Sequence, residues 1–101
     1  MRKLILKIHN EIAGTLEEQV DGYKLQYEIN YSGSPLSLAL PISSKEIIFK
    51  DFPPFLDGLL PEGDQLDALL RKYKIDANDY LSQIILVGSD LVGAITVEEA
   101  K

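Results

Sequence analysis

Few residues in this chain are of a type that does chemistry, and their spacing suits none of the usual reactions. His9 is the only histidine and there is no cysteine. That excludes a thiolate metal site and leaves no second imidazole for a zinc centre. A Ser/His/Asp triad could use only His9 as its base, and no serine and acid are placed around it in that form. Asp57 and Glu62 could be drawn as an acid–base pair. They stand in a proline-rich stretch, however, where capping and turn formation explain a carboxylate far better. Asp64, Asp67, Asp76 and Asp79 do not follow a calcium-loop spacing and fit better as residues at helix starts. Gly58 and Gly63 are separated by Leu-Leu-Pro-Glu with no lysine after them, so they do not make a phosphate-cradling loop. The residues therefore read as a binding module without catalysis, cofactor or metal.

The segment from Phe52 to Gly63 stands out instead. It holds two Phe, three Leu, three Pro and two Gly in twelve residues. Proline and glycine mark turns, while Phe and Leu mark a core or a contact. A stretch that is both is a stiffened apolar turn, either buried under its own domain or offered to another protein.

The elements that would position this turn follow from periodicity. Leu4, Leu6 and Ile8 alternate with Ile5, Lys7 and His9, the period of a strand. Asn10-Glu11 is expected to turn the chain, and Ala13 to Glu18 to return it. Asp21-Gly22 signals a hairpin of the kind with positive φ at both central residues. Tyr23, Leu25, Tyr27, Ile29 and Tyr31 then share one face of a strand, with Lys24, Gln26, Glu28 and Asn30 on the other. Leu36, Leu38 and Leu40 alternate up to Pro41, and Ile47-Ile48-Phe49 is a further short strand. Helices are expected after Asp51. Pro53 and Pro54 suit a first helical turn, and Gly58 and Pro61 limit that helix to about two turns. Asp64 is placed to cap a second helix striped by Leu66, Leu69, Leu70 and Tyr73. Asp76 is placed to cap a third, with Tyr80, Ile84 and Val87 inward and Gly88 just past its end. Gly93 to Val97 reads as a closing strand. Strands first, then helices, then one strand imply an α+β fold: a mostly antiparallel sheet packed by two to three short helices.

Residues 1–101 are of a length for one domain, with 46% apolar and 26% charged residues, as in ordinary globular proteins. The net charge is −6, which weighs against nucleic acid as a direct partner. The charge is uneven: residues 1–50 carry six acids and six bases, residues 51–101 ten acids and four bases. Such an acidic half is either a solvated face or a surface steering toward a basic partner. The absence of cysteine fits a reducing cytoplasm. No stretch approaches the ~20 apolar residues of a membrane span.

Three blocks then carry a resemblance. Pro35-Leu36-Ser37-Leu38-Ala39-Leu40-Pro41 is followed by Phe55-Leu56-Asp57-Gly58-Leu59-Leu60-Pro61-Glu62-Gly63 and by Gly88-Ser89-Asp90-Leu91-Val92-Gly93-Ala94-Ile95. In this order they resemble the N-terminal subdomain of the HipA family of serine/threonine kinase toxins. The likeness runs essentially from end to end, with Leu56 where the family often has a second Phe. That family's kinase region would follow this subdomain, and it supplies the ATP binding and catalysis. A domain of this kind standing alone is similar to HipS, the antitoxin of three-part HipBST toxin–antitoxin systems. The resemblance implies a HipT/HipA-like serine/threonine kinase as partner, with a HipB-like helix-turn-helix protein as the third member of such a complex. It implies that the chain binds and inhibits the kinase without catalysis of its own.

On that reading the partner-binding residues are Phe52, Phe55, Leu59, Leu60, Pro61, Glu62 and Gly63. Phe55 and Leu59 would serve equally well as core. Two other readings stay open: an N-terminal subdomain cut from a full-length HipA-like kinase, and an unrelated small-molecule or peptide-binding module.

Overall fold

The computed structural model describes residues 2–37, 39–88 and 94–100. Five strands form one antiparallel sheet: β1 (Lys3–Ile8), β2 (Glu11–Gln19), β3 (Gly22–Tyr27), β4 (Glu46–Phe49) and β5 (Ile95–Glu99). Their order is β4-β3-β2-β1-β5. Three helices lie between β4 and β5: α1 (Pro54–Asp57), α2 (Gly63–Tyr73) and α3 (Tyr80–Val87). The fold is α+β, as the element order implies.

The alternation along each strand sorts the two faces of the sheet. Leu4, Leu16, Leu25 and Ile47 lie opposite one another across four strands. The three leucines are fully buried, each worth about 1.5–3 kcal/mol over exposure. They share the core with Leu56 of α1 and with Leu81 and Ile84 of α3. The other face is a ladder of opposite charges. Glu17 faces Lys3 on one side and Lys24 on the other, at 3.6 and 3.8 Å. Lys7 meets Glu98 of β5 at 2.9 Å.

Several local expectations shift. The first hairpin turns at His9-Asn10, one residue earlier than expected, with φ of 51° and 68°. His9 is thus an exposed turn residue, and its backbone N–H donates to the carbonyl of Ala94 at 3.0 Å. The second hairpin forms, but its two loop residues are Val20 and Asp21, and neither has positive φ. Gly22 opens β3 instead. A Cβ there would stand 2.0 Å from the carbonyl oxygen of Phe49, so the close approach of β4 demands a glycine.

The strand expected to reach Tyr31 stops at Tyr27. Ile29 turns outward, 84% exposed, while Tyr31 folds back to stack on Tyr27 with ring centroids 6.2 Å apart. The Leu36–Leu40 run is not a strand, although Leu36 and Leu40 are buried; Leu38 lies outside the described residues. The Tyr27 hydroxyl donates to the carbonyl of Leu40 and accepts from the N–H of Leu36 at 3.0 Å. One phenol thus satisfies backbone groups that a neighbouring strand would otherwise have to pair.

The helices also depart in detail. Helix α1 is a single turn, and Glu62 rather than Asp64 is the N-cap of α2. The cap of α3 is Asp79 rather than Asp76, its side chain accepting from the Ser82 N–H at 3.3 Å. Asp76 makes a local turn, accepting from the Asn78 N–H at 2.8 Å. The buried residues of α3 are Leu81, Gln83 and Ile84; of the expected stripe only Ile84 is fully inward. Gly88 ends α3 in right-handed conformation. Its lack of a side chain matters for space, since a Cβ would stand 2.2 Å from the Val97 carbonyl oxygen. The closing strand is Ile95–Glu99; its expected start at Gly93 lies outside the described residues.

Candidate functional site

The Phe52–Gly63 segment is wound as a series of tight turns. Pro53 supplies a carbonyl that accepts from the N–H groups of Leu56 and Asp57 at 3.1 and 3.0 Å. Pro54 occupies the first helical position, where its missing N–H costs nothing. After Asp57 the chain continues through Gly58 N–H to Pro54, Leu59 N–H to Leu56 and Leu60 N–H to Asp57, at 3.1, 2.9 and 3.2 Å. Backbone self-satisfaction of this kind lets an apolar segment stay compact without joining the sheet.

The seven expected contact residues fall into two groups. Phe52 and Leu60 belong to the core, 8% and 9% exposed. The Phe52 ring stacks on Tyr80 at 5.3 Å and meets Tyr23 edge-on at 5.5 Å. Phe55 and Leu59 are half-buried against the core, Pro61 is half-buried, and Glu62 and Gly63 are exposed. Gly63 has φ of 59°, a conformation that favours glycine, and nothing lies within 4 Å of where its Cβ would be. Leu56 and Pro53 are the residues of this segment that are wholly buried. Phe55 and Pro54, with Phe49 and Leu40, wall a small apolar hollow of about 140 Å³.

Beside this turn lies a larger cleft of about 410 Å³, which the periodicity of the sequence does not reveal. It is lined by Tyr23 of β3, by Lys50, Asp51 and Phe52 between β4 and α1, by Asp57, and by Asn78 and Tyr80 at the start of α3. The three aromatic residues form its floor and the charged ones its rim. Burial pushes the Tyr23 phenol up from its ordinary range, aided by the charge of Glu18. Among the described residues, neither Asp51 nor Asp57 forms an ion pair or accepts a side-chain hydrogen bond. No group of three or more His, Cys, Asp or Glu among the described residues could hold a metal ion.

A polar network fixes the start of α3. Arg2 donates to both oxygens of Glu18, Nε to Oε1 at 3.3 Å and Nη2 to Oε2 at 2.9 Å. The same guanidinium reaches Asp79 Oδ1 at 3.0 Å and donates to Ser82 Oγ at 3.0 Å. The hydrogen bond from Arg2 holds the Glu18 carboxyl below the ordinary range. Burial works to raise that of Asp79, but Arg2 and Ser82 together hold it below as well. Every partner is accounted for, so this network positions the helix and does not offer a reactive group.

A small antiparallel sheet, three short helices and an apolar proline turn define a domain of a known kind. The chain belongs to the HipA N-terminal domain family, whose model matches residues 4–98. Among solved structures it is similar to the N-terminal domain of HipA toxin, with a TM-score of 0.80 and 26% identity over 100% of this chain and 94% of that one. It is also similar to an uncharacterized protein of Haemophilus influenzae (strain ATCC 51907 / DSM 11121 / KW20 / Rd), 29% identical over 94 residues. That match spans 93% of this chain and 89% of the relative. Among the described residues no helix is long and apolar enough to cross a membrane.

Proposed function

We propose that this chain is an antitoxin-type protein that binds a HipT/HipA-like serine/threonine kinase and restrains it without catalysis of its own. The observation that carries this reading is the family match together with the length of the H. influenzae relative. Nearly all of that relative aligns with this one domain, so a HipA N-terminal domain exists there with little else attached.

The contact is assigned to the Phe52–Gly63 turn. Pro61, Glu62 and Gly63 present the surface, and Phe55 and Leu59 add apolar area at its edge. Phe52 and Leu60 hold the turn in place from beneath, since side chains so deeply buried offer a partner almost no area. A turn already stiffened by Pro53, Pro54 and Pro61 loses little entropy on docking. Restraint is then steric or conformational, the kinase being held in an inactive arrangement. A HipB-like protein would complete the assembly, and nucleic acid would be met only through it.

The test is co-purification with a cognate HipT-like kinase, followed by a phosphorylation assay. Saturating amounts of this protein are expected to suppress phosphorylation. Replacing Leu59 by Ala is expected to weaken binding by about 2 kcal/mol, the value of a genuine anchor. Unchanged phosphorylation at saturation would sink the proposal. The similarity to the N-terminal domain of HipA toxin favours a second reading, in which this sequence is the first part of a full-length kinase. The reading frame downstream of Lys101 decides between the two.

A further inference from the structure

The cleft beside α1 has a chemistry that the family match does not specify. Its floor is a contiguous aromatic stack, Tyr23 edge-on to Phe52 and Phe52 face to face with Tyr80. Tyr23 and Tyr80 are only half-buried, so part of their surface is open to a ligand. Ring faces carry negative charge density and attract cations. The rim carries two exposed carboxylates, Asp51 and Asp57, against one lysine, Lys50. Neither carboxylate is spent on an ion pair among the described residues. The rim is therefore net negative, and both its acids belong to residues 51–101, which carry the whole net charge of −6. An anion would meet Lys50 but also both acids, so the charge balance selects a cation.

We infer that this cleft seats the guanidinium of an arginine side chain presented by the protein partner. Arginine answers all three features at once. Its planar head stacks on aromatic faces, its fork of N–H donors matches a carboxylate, and its long stem can reach into a recess. Lysine would satisfy the charge without the stacking plane. Asp57 ends α1 itself, so the cleft continues the proposed contact turn and extends the interface to the start of α3. The identity of the partner rests on the proposed function; the chemistry of the cleft does not.

The experiment uses two probes on the isotope-labelled chain, followed by NMR. One is a capped Gly-Arg-Gly peptide. The other is the same peptide with citrulline, which keeps the shape and loses the charge, at matched ionic strength. The arginine peptide is expected to shift the resonances of Tyr23, Asp51, Asp57 and Tyr80 and to bind about three- to tenfold more tightly than the citrulline peptide. The D51N/D57N double variant alters two exposed positions and keeps the fold, which its unchanged melting curve would verify; it is expected to shrink the difference between the peptides, leaving only what the aromatic floor supplies. Equal shifts from both peptides, or shifts located elsewhere, would overturn the inference. Binding to the kinase separates the two claims. A double variant that binds the kinase as tightly as the unaltered chain removes the cleft from the interface but leaves the proposed inhibition standing. Failure of the unaltered chain to bind the kinase removes the proposed function, while the peptide result still decides the cleft's chemistry.

Discussion

Helix α2 carries the cleaner apolar stripe of the two longer helices, with Leu66, Leu69, Leu70 and Tyr73 at spacings of three and four, yet none of its residues is buried. Helix α3 is apolar on more than one side, and it sinks Leu81, Gln83 and Ile84 to 1% exposure or less. The contrast lies in what holds each helix. Helix α3 has a side-chain cap at Asp79, the Arg2 network across its first turn, and the amide of Gln83 donating to the carbonyls of Asp76 and Ala77 at 3.3 and 3.1 Å. Helix α2 has no side-chain cap, and it ends on Lys74 in left-handed conformation, φ 54° and ψ 49°. Tyr73 stays 48% exposed, with the Lys72 ammonium 5.4 Å from its ring centre. An apolar stripe thus fixes which side of a helix seeks cover, but it does not say how much cover the same chain provides. Helix α2 begins at Gly63, so its half-covered stripe continues directly from the proposed contact turn.

The largest expected effect tests this contrast in the core. Leu81→Ala or Ile84→Ala should destabilise the fold by about 2–5 kcal/mol in denaturant titration. Leu69→Ala or Leu70→Ala in α2 should cost about 1 kcal/mol or less. Comparable losses in the two helices would dissolve the distinction.

A smaller effect comes from Arg2, because its pairs with Glu18 and Asp79 are partly exposed and screened by solvent. Arg2→Ala should cost about 1 kcal/mol at neutral pH. The sign of its pH dependence follows from the carboxyls. Both are held below their ordinary range in the fold, so their contribution is present above the unfolded carboxylate range of about 4. It is lost as pH falls through the lower folded values. The gap in melting temperature between the natural chain and Arg2→Ala should therefore be open at neutral pH and close in acid. A gap that stays constant down to strongly acidic pH would show that Arg2 acts by packing alone. The smallest effect is a gain. Lys74→Gly should relieve the left-handed strain at the end of α2 and stabilise the chain by under about 1 kcal/mol. It should do so without altering the melting contribution of α3, and a loss of stability would show that Lys74 holds α2 by some further contact.

What could be read from the residues follows the same division. The β1–β3 meander is plain in the alternation of Leu4, Leu6, Ile8 and of Tyr23, Leu25, Tyr27, because each of these strands has one wet face. The alternation misleads at Ile29 and at Leu36–Leu40, where the Tyr27 hydroxyl takes backbone partners across the loop and a strand is no longer needed. Asp76 and Asp79 are equally good caps on paper, and only the position of Arg2 and Ser82 chooses Asp79. Within the candidate site, Phe52 and Leu60 look like Phe55 and Leu59 in sequence; the rings of Tyr23 and Tyr80 draw Phe52 inward. The cleft was not legible at all, since Tyr23, Asp51 and Tyr80 come from separate elements and meet only through the packing of α3 on the sheet.

The order of the strands carries one more consequence. β1 lies between β2 and β5, so the first strand made is paired on one edge by its immediate neighbour and on the other by the last element of the fold. During synthesis the meander can assemble from local contacts, but Leu4 to Ile8 keep one row of backbone donors and acceptors open until Ile95 to Glu99 leave the ribosome. Closing so long a loop is slow, and an open strand edge can recruit foreign strands while it waits. The late arrival of β5 makes the newborn chain most vulnerable to aggregation just before the sheet is complete.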